Sequence, residues 1–203
     1  MQNQLNSHQF PEVYKDLGIN LDDLGCVMAD VEPTQKMMDF KLPDDVLYTS
    51  KNPDRKWIKG WVMGETAHVT LLYGLLENAH LWEKQIKRVL KDWEMKTVSI
   101  EEVDYFDSQY EDDPYYCIVA HIKVSQNLEE GHERLQFLPH VDTFAGYKPH
   151  MTIAYIKKDK TILDEVLDQL SDWEGFRMSV NPEINLGYKP ESKMATFFKG
   201  KKS

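Results

Sequence analysis

Ala67-His68-Val69-Thr70-Leu71-Leu72-Tyr73 and Pro149-His150-Met151-Thr152-Ile153-Ala154-Tyr155 are two copies of one pattern, His-apolar-Thr with Tyr three residues after Thr. Each copy is apolar enough for a strand. Side chains alternate across a strand, so the His and Thr of each copy share one face while Val69, Leu71, Met151 and Ile153 share the other. Two imidazoles and two hydroxyls on facing strands supply an acid, a base and two hydrogen-bond donors around one anionic group. Metal-free phosphodiester cleavage needs those groups.

Upstream of the first motif, Gly25 to Val31 reads as a buried strand, Pro33 to Asp45 as a loop or broken helix, and Lys51-Asn52-Pro53-Asp54 as a turn. Trp57 to Met63 alternates and leads into the first motif. Beyond it, Ala79, Trp82, Ile86, Val89, Leu90 and Trp93 recur at helical spacing, which predicts a helix of about four turns. Thr97 to Phe106 and Tyr115 to Val124 predict two long strands joined by the acidic run Glu111-Asp112-Asp113. Asn127 with Glu130 marks a capped helix start, and Thr161 with Asp164 marks another, for a helix carrying Leu163, Val166 and Leu170. Phe176 to Leu186 closes the pattern with one strand, or two around Pro182.

The resulting order predicts an α+β fold of antiparallel sheets lining a central cleft, with helices outside. The two motif-plus-helix segments, 82 positions apart, read as diverged copies in two lobes. We divide the chain into an N-terminal extension over 1–24, the two-lobed domain over 25–190 and a lysine-rich tail over 191–203.

Charge narrows the substrate. A net charge of −10 over 203 residues lacks the basic surplus that binding a long nucleic-acid backbone usually needs, since such binding rests on phosphate neutralisation. Lysines cluster only at Lys148, Lys157-Lys158 and Lys199 to Lys202, which favours a small nucleotide in one pocket. No apolar run approaches the roughly 20 residues of a membrane span and no signal-peptide centre is seen, so the expectation is a cytoplasmic protein. Cys26 and Cys117 lie in apolar strand-like stretches and read as buried reduced thiols. No His-Glu-x-x-His, Cys-x-x-Cys or metal-spaced acidic cluster is present, so no cofactor is expected.

At its two His-x-Thr motifs the chain resembles the 2H phosphoesterase superfamily, over roughly Gly25 to Lys189. The resemblance implies a two-lobed pseudo-twofold fold and a phosphodiesterase that works without metal. It gives His68 and His150 the proton transfers, in either order, with the attacking oxygen a 2′-hydroxyl or water. Thr70 and Thr152 would bond the non-bridging phosphate oxygens. Activities in the superfamily include RNA 2′,3′-cyclic phosphodiesterase or ligase-type enzymes, 2′-5′ oligoadenylate phosphodiesterases and bacteriophage enzymes that degrade cyclic-nucleotide immune signals. The expected substrate is accordingly a cyclic di- or trinucleotide signal cleaved by a phage counter-defence enzyme. RNA or oligoadenylate linkages are the alternative reading. A non-catalytic nucleotide sponge is the third, disfavoured because binding alone needs no acid and base.

Base recognition calls for aromatic platforms, and Trp61, Tyr73, Phe144, Tyr147 and Tyr155 are the candidates, with Lys148 reaching a second phosphate. For each Tyr a core position with its hydroxyl at the rim is an equal reading. Of the other histidines, His80 reads as exposed or capping, His121 as a satisfied core or edge residue, and His132 and His140 as surface residues.

Overall fold

A computed structural model describes residues 24–108, 110–142 and 146–187, without the side chains of 65–66. The N-terminal extension up to residue 23, the lysine-rich tail and Phe144 lie outside the described residues. Six strands, β1 (Gly25–Glu32), β2 (His68–Leu75), β3 (Thr97–Asp107), β4 (Tyr115–Ile122), β5 (His150–Lys157) and β6 (Arg177–Gly187), form one antiparallel sheet in the order β2-β1-β6-β3-β4-β5. The fold is α+β, as expected. The two lobes join through a short pairing of β3 with β6, from Thr97↔Ser179 to Ser99↔Arg177. The motif strands β2 and β5 are the sheet's opposite edges, yet they lie against each other. The sheet therefore curls until its ends meet.

Exposed strand edges invite mispairing, and here both are covered by loops. On β5, Tyr48 N bonds Tyr155 O at 2.9 Å and Val62 N bonds Ile153 O at 3.0 Å. The alternation at Trp57 to Met63 thus makes isolated bridges, Lys59 with Thr49 and Trp61 with Ala154 of β5, instead of a strand of its own. On β2, Leu76 N bonds Pro139 O at 3.0 Å and Val141 N bonds Gly74 O at 2.9 Å. Gly74 is required there. Its φ is +105°, and a Cβ would stand 2.3 Å from Val141 O.

Among the described residues five α-helices cover the buried face of the sheet or brace its edges: α1 (Gln35–Asp39), α2 (Met63–Thr66), α3 (Glu83–Val89), α4 (Gln126–Leu135) and α5 (Lys160–Leu170). In α5, Leu163, Val166 and Leu170 recur at the spacing of one helix face and all are buried. Its first turn is capped by Asp159, which accepts from Thr161 N at 2.8 Å and Ile162 N at 3.1 Å, not by Thr161. In α4 the cap is Ser125, not Asn127, whose amide reaches across to Glu94 O at 3.1 Å. The long helix expected after the first motif is shorter, a 3₁₀ turn over Ala79–Trp82 followed by α3. The chain leaves the helix at Leu90 and Asp92 turns it with φ 63°. Packing against the sheet and α4, not helix length, buries Ile86, Leu90 and the flank of Trp93. Pro182 does not split the last strand; it sits in the irregularity between the Ala29↔Ile184 and Val31↔Val180 pairs.

Val69, Leu71, Leu72, Met151, Ile153, Ala154 and Ile156 point into one core with the helices and Trp173. Each fully buried side chain of Leu or Ile size contributes about 1.5–3 kcal/mol. The opposite face of the curled sheet is left to line the cleft.

Candidate functional site

Strict alternation would put Tyr73 and Tyr155 on the core side, an odd number of residues after Thr70 and Thr152. A β-bulge in each strand prevents this. In β1/β2 the register passes from Met28↔Thr70 to Val27↔Leu72, leaving Leu71 extra; in β4/β5 it passes from Val119↔Thr152 to Ile118↔Ala154, leaving Ile153 extra. Both residues at each bulge, Leu71-Leu72 and Ile153-Ala154, are buried. His68, Thr70 and Tyr73 consequently share the partly buried cleft face of β2, and His150, Thr152 and Tyr155 share that of β5.

The neighbouring strands extend each half-site. Asp30, Met28 and Cys26 of β1 face His68, Thr70 and Tyr73, and His121, Val119 and Cys117 of β4 face His150, Thr152 and Tyr155. Residues directly opposite in an antiparallel pair hold their Cβ atoms about 4.5–5.5 Å apart. The halves differ in one respect that matters: a carboxylate faces His68, and a second imidazole faces His150. Asp30 is held by Asn185 Nδ2 at 3.1 Å.

His150 is tightly framed. Its Nδ1 lies 3.0 Å from Lys148 O, and because a carbonyl only accepts, Nδ1 carries the hydrogen and Nε2 is left for the cleft. The Phe106 ring meets it edge-on at 5.0 Å, and the His121 ring lies 6.4 Å away. Burial pushes the His150 imidazole below its ordinary range; the Lys148 carbonyl opposes this, and His121 and His68 add to the depression. At neutral pH His150 is therefore neutral.

Tyr147 joins the lobes. It precedes the second motif, but its Oη donates to Thr70 O of the first at 2.9 Å. His132 stacks on its ring, 3.9 Å between centroids and 5° from parallel, and His132 Nδ1 lies 2.7 Å from Leu71 O at the bulge. The surface position expected for His132 is thus corrected: its ring is partly buried and reaches the carbonyl of a bulge residue. Burial raises the Tyr147 hydroxyl well above its ordinary range, keeping it a donor.

Tyr155 meets Tyr115 edge-on at 5.3 Å, and Tyr73 packs beside Leu24 and Val141. Lys148 is exposed. Trp61 pairs with Ala154 on the core side, 6.0 Å from the Phe40 ring, which in turn meets Trp173 at 5.5 Å. His80 is exposed, and His140 is tied to Leu138 O at 2.8 Å along the edge of β2. His121, read from the sequence as a core or edge residue, lies on the cleft face, as do Asp30, Cys26, Cys117 and Phe106. Among the described residues Glu102, Asp104 and His121 also bring one donor atom each within 4.8 Å, with both carboxylates exposed.

Residues 49–188 match the family model of the 2'-5' RNA ligase superfamily. No curated protein matches the chain. Among solved structures it is similar to Usb1 of Kluyveromyces marxianus, at 11% identity and a TM-score of 0.43 over 82% of this chain and 98% of that one. The same protein with uridine monophosphate matches at 12% identity and a TM-score of 0.43, over 82% of this chain and 99% of that one. Both are too distant to lend residue roles. The family match spans most of the chain and takes in both His-x-Thr motifs, and the chain belongs to the 2'-5' RNA ligase superfamily, that of the 2H phosphoesterases, as a phosphodiesterase.

Proposed function

We propose that the cleft cleaves a phosphodiester in a small cyclic nucleotide or oligonucleotide signal, with His150 as general base and His68 as general acid. The observation that carries this is the paired bulge, which turns His, Thr and Tyr of each edge strand onto one face, on strands that meet. The neutral imidazole of His150, its Nε2 unengaged by the Lys148 contact, takes the proton of a 2′-hydroxyl or water as that oxygen bonds to phosphorus. His68 gives a proton to the departing oxygen as its bond to phosphorus breaks. Thr70 and Thr152 donate to the two non-bridging oxygens, where negative charge accumulates.

Tyr73 and Tyr155 at the ends of the two half-sites are the base platforms in this reading, with Lys148 at the rim for a further phosphate. Tyr147 serves through the Thr70 carbonyl and Trp61 through the support of β5. The charge of −10 favours a ligand with few phosphates, and a cyclic di- or trinucleotide messenger of host immunity, degraded by a phage protein in the host cytoplasm, fits that limit. Among the described residues no helix is long and apolar enough to cross a membrane.

The family match keeps RNA 2′,3′-cyclic phosphate and 2′-5′ oligoadenylate as the second reading. Incubation with cyclic dinucleotides, cyclic trinucleotides, 2′-5′ oligoadenylate and 2′,3′-cyclic-phosphate RNA, each in EDTA with products separated by chromatography, decides between them. Cleavage confined to the cyclic messengers is expected. Cleavage confined to the RNA or oligoadenylate would overturn the messenger reading.

A further inference from the structure

The pseudo-twofold arrangement repeats one feature beyond the motifs. Cys26 faces Tyr73 across β1/β2 and lies beside Thr70, and Cys117 faces Tyr155 across β4/β5 and lies beside Thr152. Cys26 Sγ stands 3.9 Å from Thr70 Oγ1. Cys117 holds the corresponding place in the second lobe, opposite Tyr155 and two residues along β4 from the partner of Thr152. Two thiols at matching register, each near the motif threonine of its own lobe, call for a common explanation.

We propose that Cys26 and Cys117 are positioning residues, whose S–H groups donate to Thr70 and Thr152 Oγ1 and so turn each threonine hydrogen toward the bound phosphate. A hydroxyl has one hydrogen to give and two lone pairs to fill. If that hydrogen goes to an anionic oxygen, the threonine oxygen needs a donor behind it. Burial raises Cys26 to about 11 and Cys117 to about 12, so both thiols keep their hydrogen at neutral pH. They are donors there, not nucleophiles. The matching register gives the second lobe the same relay, Cys117 S–H to Thr152 Oγ1 and Thr152 O–H to phosphate. Each donation polarises the next. Ala at either cysteine would leave the threonine hydroxyl free to rotate away from the phosphate.

The inference rests on the reading that the phosphate lies at the two threonines, so its test has one arm that needs no substrate. The S–H stretching band of each thiol is recorded by infrared difference between the native protein and Cys26→Ala or Cys117→Ala. Both bands are expected at the lowered frequency of a donating thiol, with Thr70→Val shifting only the Cys26 band and Thr152→Val only that of Cys117. The second arm is a double-mutant cycle on the best-cleaved of the four substrates. Cys26→Ala should lower kcat about three- to tenfold in the native background, the range of one hydrogen bond, and leave it unchanged in Thr70→Val. Bands at the free-thiol frequency, or an equal loss in both backgrounds, would overturn the proposal. Shifted bands with none of the four substrates cleaved would uphold the thiol contacts and sink the phosphodiester reading above them.

Discussion

Tyr147 Oη donates to the carbonyl oxygen of Thr70 at 2.9 Å, so the residue that introduces the second motif is fastened to the first. Only Lys148 and Pro149 separate Tyr147 from His150, and the bond therefore fixes one half-site against the other. The stacked His132, with Nδ1 2.7 Å from Leu71 O, holds the ring in place.

Tyr147→Phe removes the donor and keeps the stack. It should lower stability by about 1 kcal/mol and turnover by about tenfold, with KM little changed, because alignment and not binding is lost. Denaturant unfolding and steady-state kinetics check the two effects. A stability loss with native turnover would confine Tyr147 to the fold.

With His150 as the proposed base, its depressed imidazole sets the acid limb of the pH profile. Burial is the largest cause, with the charges of His121 and His68 adding to it, so the base stays neutral to lower pH than an ordinary histidine. His121→Gln removes one opposing charge and should move the limb of kcat/KM to higher pH. His121 faces His150 from β4, Glu102 faces His121 from β3, and Phe106 is the ring edge-on to His150. A limb that does not move would show that His121 does not act on the base.

Asp113 is 4% exposed and accepts from Tyr48, Ser50 and Arg55, the last at 3.2 Å, tying the loop over β5 to the β3–β4 connection. Burial alone would raise its carboxyl, but the bonds from Ser50, Tyr48 and Arg55 prevail and hold it below the usual range. A depressed carboxylate stabilises the fold at pH above its unfolded value, and that contribution disappears as pH falls through the folded value. Asp113→Ala should cost about 1–3 kcal/mol at neutral pH, since it removes the acceptor of two hydroxyls and one of the two carboxylates on Arg55, which keeps Asp112. The difference in Tm from the native protein should shrink on acidification. A difference that stays constant with pH would rule out this linkage.

A ligand with two or three phosphates should show a shallow salt dependence. Binding of an uncleavable cyclic dinucleotide to His68→Ala, followed by calorimetry, should weaken only modestly between low and physiological salt, with long single-stranded RNA a poor competitor. Tight, steeply salt-dependent RNA binding would favour RNA processing instead.

Element order and both His-x-Thr pairs were legible in the sequence because they depend on periodicity and residue type. Tyr73 and Tyr155 show where that stops. Alternation assigns them to the core side, and only the bulges at Leu71 and Ile153 return them to the cleft; the adjacent apolar pairs Leu71-Leu72 and Ile153-Ala154 are the one local sign. Thr161 and Asn127 offered plausible caps, but tertiary placement gave those roles to Asp159 and Ser125. His121, Asp30, Cys26 and Cys117 reach the site through strand register. A single strand carries no trace of which residue its neighbour will face. His132 reaches Leu71 O from a helix 61 residues away, a contact set by packing alone.

In the proposed mechanism His68 and His150 move the protons of a metal-independent cleavage. Its most direct test is turnover by His68→Ala and His150→Ala in EDTA, alongside native protein, with circular dichroism to check the fold. Each variant should keep its fold and lose about 10²-fold or more in kcat, while native activity is unchanged by the chelator. Near-native turnover in either variant, or native activity lost to EDTA and restored by a divalent ion, would contradict the account.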